Sequence, residues 1–139
     1  MNPAPFLIDC AISVRWGDLD AFNHVNNAVF STYLEEARLT WLQGLGIPWV
    51  SERSAPVVAN LQIDFLRPIN WPATVVVRLF GGRVGRSSLV LPFVMQDALG
   101  AELCYAKGET TLVWIDPQSG RSIPLPEPLR QAAAASNPD

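Results

Sequence analysis

The chain has 139 residues, 49% apolar and only 17% charged, which is enough to bury one core under a surface lean in charge. Ten basic residues against thirteen acidic leave a net charge of −3 with no Lys/Arg run, which excludes a nucleic-acid binder and a polybasic membrane anchor. Two cysteines and one histidine are too few for a disulfide scaffold or a structural zinc site. No stretch reaches the roughly 18 consecutive apolar residues of a spanning helix. The start, MNPAPFLIDCAIS, lacks the basic and apolar regions of a signal peptide, so the expected location is the cytoplasm. Low charge on an oily chain also points to apolar surface covered by another subunit.

Residues 6–16 alternate apolar and polar positions and predict a strand. Gly17-Asp18 stops it, and a polar, turn-rich loop runs to Asn27. Asn26 or Asn27 is a good N-cap, because its side-chain carbonyl can accept from an orphan N–H one turn in. Phe30, Leu34, Ala37, Trp41 and Leu45 then recur at helical spacing, ended by Gly44, Gly46 and Pro48. Residues 57–65 alternate again and end at Arg67-Pro68. Residues 74–80 are rich in β-branched side chains, and Gly81-Gly82 permits a bend. Residues 87–96 predict a strand in which Pro92 implies an edge position or a bulge. A turn at 97–100 leads into a long strand at 103–115, where Gly108 implies a kink or a close backbone approach. The spaced prolines of PLPEPLRQ fix an extended approach to a short final helix, and 132–139 read as a loose tail. Residues 1–131 then form one domain of α+β class, with five antiparallel strands and one long helix.

Chemistry concentrates in WGDLDAFNHVNNAVF, where Asp18, Asp20, Asn23, His24, Asn26 and Asn27 lie between a strand and the start of the helix. The first N–H groups of a helix are unpaired and carry positive partial charge, so they can hold an oxyanion or polarise a carbonyl. A nearby carboxylate could attack the polarised carbon or activate water, and Asp20 is the candidate. The same residues also serve as ordinary turn and cap formers, and His24 can pair with Asp20 or merely shape the loop. A calcium loop fails because Phe22 occupies the third ligand position. No GxSxG elbow accompanies the histidine, and Cys10 and Cys104 sit among apolar strand neighbours. A second cluster, GGRVGRSS, offers Arg83 and Arg86 with Ser87 and Ser88 to phosphate oxygens, or is an exposed bend and nothing more.

The stretch VRWGDLDAFNHVNNAVFSTYLEEARLTWLQGLG, residues 14–46, resembles the hotdog-fold acyl-CoA thioesterases of the 4-hydroxybenzoyl-CoA thioesterase class, in particular the HVNN branch shared with long-chain acyl-CoA thioesterases. The likeness continues through VVANLQIDFLRPI, VGRSS, AKGETTLVWID and IPLPEPLR. It implies a sheet of five antiparallel strands wrapped around the one long central helix, with sheets paired in a homodimer or a dimer-of-dimers tetramer. It implies hydrolysis of an acyl-CoA to a free acid and CoA, with no metal and no cofactor. Asp20, the second Asp of DxD, would be the nucleophile or general base. His24, Val25, Asn26, Asn27 and Ala28 would position the substrate and hold the oxyanion, and Arg83, Arg86, Ser87 and Ser88 would meet CoA. Two other readings stay open: a hotdog protein that binds an acyl group or CoA without hydrolysis, and a hotdog hydratase or dehydratase.

Overall fold

The computed structural model describes residues 4–134. In chain order the elements are β1 (Phe6–Ser13), α1 (Asn27–Gly44), β2 (Ala55–Phe65), β3 (Thr74–Phe80), β4 (Ser88–Asp97), β5 (Gly100–Ile115) and α2 (Glu127–Ala134). The strands form one sheet in the order β1-β3-β4-β5-β2, and every pairing is antiparallel. The expected α+β layout of five antiparallel strands and one long helix is therefore present.

The helical stripe does what its spacing predicts. Phe30, Leu34, Ala37 and Trp41 are each no more than 2% exposed, and α1 packs chiefly against β1 and β3. Burying four such side chains supplies much of the stability of a core this size. The fifth member, Leu45, is only half-buried, because it caps the helix before Gly46 takes a left-handed φ of 66°.

Four sequence expectations are refined. The first strand ends at Ser13 rather than at residue 16, since Trp16–Asp18 form a 3₁₀ turn with the Arg15 N–H donating to Asp18 Oδ2 at 2.9 Å. Pro92 lies on an interior strand, yet it faces a local edge. The β3 ladder ends at Leu79↔Phe93, and Pro92 pairs only with Glu109 of β5, so its missing N–H leaves no gap in a ladder. Gly108 is the close approach: a Cβ there would collide with the Gln62 carbonyl of β2. The tail boundary moves outward. Residues 132–134 belong to α2, and Ala133 is buried where its carbonyl crosses Gly81, while residues 135–139 lie outside the described residues.

Candidate active site

The loop before α1 closes on itself around Asp20. Leu19 bridges Val25, the Asp20 N–H donates to the His24 carbonyl at 2.8 Å, and the Asn23 N–H donates to the Asp20 carbonyl at 3.1 Å. The turn needs a left-handed residue, and Asn23 supplies it at φ 62°. Asp20 Oδ1 accepts from the Phe22 N–H at 2.8 Å and more weakly from the His24 N–H at 3.4 Å. Its Oδ2 takes no hydrogen bond from the described residues, and the side chain lines a groove of about 430 Å³.

Asp18 turns the other way. It is 4% exposed and holds the Tyr33 hydroxyl at 2.6 Å and the Arg15 N–H at 2.9 Å. Burial pushes its pKa up, but these hydrogen bonds outweigh burial and hold the carboxyl below its ordinary value. Tyr33 is raised in turn by burial and by Asp18. Asp18 ties the loop to α1, and Asp20 faces the groove.

The backbone donors expected around the oxyanion differ in whether they are already engaged. The Val25 N–H donates to the Ile69 carbonyl, the Asn26 N–H to the Asp18 carbonyl, and the Ala28 N–H to Asn26 Oδ1, each at 2.9 Å. Asn26 is thus the N-cap, and Val25, Asn26 and Ala28 have their backbone donors engaged within the chain. Only Asn27, at the first turn of α1, keeps an N–H with no acceptor among the described residues, and it lines the groove with Asp20. His24 lines the groove as well, and its ring makes no hydrogen bond with the described residues.

Sequence reasoning missed the far wall. Phe65, Leu66, Arg67 and Pro68 close the groove opposite α1, and Phe30 meets Phe65 edge-on with ring centroids 5.0 Å apart. Phe30 reads as core because it falls on the helical stripe, and it belongs to both core and groove. The segment after β2 carries no chemical signature of its own. Its one legible signal is an Arg-Pro at a strand end, which marks a strand leaving the sheet.

The GRSS segment is not brought to this groove within one chain. The Gly85 N–H donates to the Ser88 carbonyl at 2.9 Å, making a tight turn that Trp114, Leu125 and Arg130 hold by its other carbonyls. Arg86 and Arg83 point outward, Arg86 touching Ser87 and Arg83 lying 3.6 Å from Glu109. Ser88 pairs with Val113 of β5, whereas Phe65 pairs with Ala106 of the same strand. That is seven residues along β5, or about 23 Å at about 3.3 Å per residue. Asp20 and the GRSS turn occupy opposite ends of the sheet.

Residues 14–133 match the thioesterase-like superfamily. The chain belongs to that family. It is 30% identical over 126 residues to the long-chain acyl-CoA thioesterase FadM of Escherichia coli (strain K12), covering 86% of this chain and 92% of that protein. Among solved structures it superposes with TM-score 0.85 on the PA2801 protein of Pseudomonas aeruginosa, provisionally named a thioesterase, at 42% identity over 91% of this chain and 98% of that one. Slr0204 of Synechocystis, a 1,4-dihydroxy-2-naphthoyl-CoA thioesterase, shares the fold at 20% identity and TM-score 0.81, covering 90% and 93% of the two chains. The fold is the hotdog that the sequence resemblance implied, and a thioester hydrolase is the enzyme class of this thioesterase-like chain. No helix among the described residues is long and apolar enough to cross a membrane.

Proposed function

We propose that this chain hydrolyses acyl-CoA thioesters to a free acid and CoA, with Asp20 as the catalytic carboxylate and the Asn27 N–H as the donor to the thioester oxygen. One observation carries the reading: Asp20, with Oδ2 unbonded among the described residues, lines the same groove as Asn27, whose N–H is open at the start of α1. A thioester carbonyl drawn to that N–H becomes electrophilic, and the helix N-terminus stabilises the negative charge that develops on its oxygen. Oδ2 either attacks the carbonyl carbon, giving an anhydride that water opens, or takes a proton from the attacking water. Either way the carbon–sulfur bond breaks and one water is consumed: its oxygen ends in the carboxylic acid, or in Asp20 when it opens the anhydride at the aspartyl carbonyl, and one of its protons goes to CoA, which leaves as the thiol. No step calls on a metal or an organic cofactor. A structural carboxylate would be buried with both oxygens satisfied, as Asp18 is, and this contrast favours catalysis over mere binding.

The acyl-CoA ligand is longer than the groove, and paired copies account for the rest of it. β2 is an edge strand running antiparallel to β5. Two copies joined antiparallel along β2 bring the start of the partner's β2 beside the Phe65 end of the first. Val57 pairs with Val113, and Val113 with Ser88, so the partner's Arg86, Ser87 and Ser88 come to the end of the sheet that holds Asp20. Those side chains, with Arg83 beside them, suit the CoA phosphates and pantetheine arm. A homodimer, or a tetramer of two such dimers, is therefore the working unit of a single-domain enzyme, and the cytoplasm, where acyl-CoA substrates are made and used, is its proposed location.

The test is free-thiol release from short, long and aromatic acyl-CoAs, with Asp20→Asn alongside. Turnover by the native chain and a loss of about a hundredfold or more in the variant is expected. Equal rates in a folded Asp20→Asn protein would remove Asp20 from the mechanism.

A further inference from the structure

The turn from Gly85 to Ser88, at the start of β4, hides its acceptors and leaves donors open. Each of its four carbonyls is taken from within the chain. Ser88's accepts from the Gly85 N–H at 2.9 Å, Ser87's from the Trp114 N–H at 2.8 Å and Arg86's from the Leu125 N–H at 2.8 Å. Arg130 of α2 completes the set, its Nη2 donating to the Gly85 carbonyl at 3.1 Å and to the Arg86 carbonyl at 3.3 Å. The Gly85 carbonyl has no other donor among the described residues. By contrast, the N–H groups of Arg86 and Ser87 meet no acceptor among those residues. The Arg86 guanidinium reaches only Ser87 Oγ, at 3.4 Å.

Such a turn suits an anion. A phosphate oxygen gains from every N–H, hydroxyl or guanidinium it meets, and is repelled by a carbonyl oxygen turned toward it. Backbone amides of neighbouring segments hold the Arg86 and Ser87 carbonyls, but the Gly85 carbonyl depends on a single side chain. Glycine at 85 also makes this peptide the easiest of the turn to rotate. Arg130 is itself well held. Leu129 and Ala133 are 0% and 1% exposed, which seats α2 on the rest of the fold. Its Nε lies 3.5 Å from the Glu127 carboxylate one turn earlier. Both hydrogens of Nη2 are engaged by carbonyls, so the planar guanidinium fixes two oxygens at once.

We propose that Arg130 is a positioning residue for CoA. It keeps the Gly85 and Arg86 carbonyls turned into the protein, so that the turn offers phosphate oxygens the Arg86 and Ser87 N–H groups beside the side chains of Arg86, Ser87 and Ser88. Without it the Gly85–Arg86 peptide is free to rotate and to set a carbonyl oxygen where a phosphate should sit. Arg130 acts through the turn and does not touch the ligand. This inference rests on the reading above that the turn meets CoA, and it adds what holds the turn in a form that accepts phosphate.

The experiment combines calorimetric binding of free CoA with thiol release from one acyl group, carried either on CoA or on pantetheine, which lacks the phosphates. The native chain is compared with R130M, R130K, R86M and R86M/R130M, each checked for folding by circular dichroism. R130M is expected to raise the CoA dissociation constant and the acyl-CoA KM about tenfold, with kcat unchanged. Its rate on acyl-pantetheine stays native, which a general loosening of the fold would not allow. R130K keeps donor hydrogens at that position and recovers part of the loss. In the double variant the loss falls short of the product of the two single losses, because Arg130 works partly by placing Arg86. Should R130M not fold, R130K alone carries the comparison, with a CoA dissociation constant about threefold above native. Native CoA binding in the variant that folds would overturn the proposal, and so would an equal slowing on acyl-pantetheine. A full product of the single losses would make Arg130 an independent contact and overturn its positioning role. A native chain that binds no CoA would overturn it together with the CoA reading of the turn. CoA binding that R130M weakens, in a chain that releases no thiol, supports the brace while counting against the hydrolase.

Discussion

The two sides of α1 are built for different ends. Toward β1 and β3 the helix is sealed through its core, with Phe30, Leu34, Ala37 and Trp41 in a continuous cluster and Asp18 bonded to Tyr33 at its start, and a groove of about 400 Å³ lined by Cys10, Ile12, Thr32 and Glu36 lies outside that cluster between α1 and β1. Toward β2 it stands off, leaving two grooves, a row of exposed apolar side chains and the free oxygen of Asp20. The sealed side fixes where the helix starts, and so where the Asn27 N–H points. The open side holds the groups proposed for chemistry and assembly. Two aspartates two residues apart fall on either side of this divide, and the neighbours that bond each one separate the structural Asp18 from the proposed catalytic Asp20.

Substitutions on the two sides should therefore fail in different assays. The largest effect expected is on the open side: Asp20→Asn lowers thiol release about a hundredfold or more while the melting temperature stays within about 1 °C of native. A substantial drop in melting temperature instead would make Asp20 a loop residue. On the sealed side, Leu34→Ala should cost about 3 kcal/mol in urea unfolding, with the thiol-release rate per folded molecule unchanged. Asp18→Asn should cost about 2 kcal/mol, since the buried Tyr33 hydroxyl and the Arg15 N–H lose a charged acceptor. That loss carries a pH signature. Because the folded carboxyl titrates below its ordinary value of 3.8, its stabilisation is fully present above that pH and disappears as pH falls through the folded value. Native and Asp18→Asn stabilities should converge in that acid range, and a gap that persists unchanged would show that packing, not charge, is at stake. Smallest of all, Phe65→Ala on the open side should change stability by less than about 1 kcal/mol, because the ring is already 47% exposed. Its effect should appear as a KM several-fold higher, read from initial rates. An unchanged KM would remove Phe65 from the acyl wall.

Much of this plan is legible in the sequence because it depends on local rules. The helical stripe from Phe30 to Trp41, the Asn cap, the β-branched run of β3 and the need for Gly108 all follow from periodicity or from the space one atom occupies. Pro92 was legible as a sign of an edge or a bulge, and its strand proves interior with a local edge on the β3 side, which depends on where a neighbouring ladder stops. The Asp20 cluster stood out because polar residues crowd a helix start. What the sequence withheld is what depends on distant segments. Engagement of the Val25 N–H by Ile69, the wall from Phe65 to Pro68, and the separation of the GRSS turn from Asp20 are set by the sheet order, not by any local pattern. The burial of Ala133 was hidden for the same reason, since an Ala run has no periodicity to mark the residue that meets Gly81.

The open amide of Asn27 also gives the molecule a built-in reporter. An N–H without an acceptor exchanges its hydrogen with water readily, while its neighbours Asn26 and Ala28 are held by protein oxygens. In deuterated solvent Asn27 should lose its proton signal ahead of both, and a bound carbonyl or carboxylate oxygen at the helix start should slow that loss. The occupancy of the site can then be followed at a single backbone position, without a chromophore and without turnover.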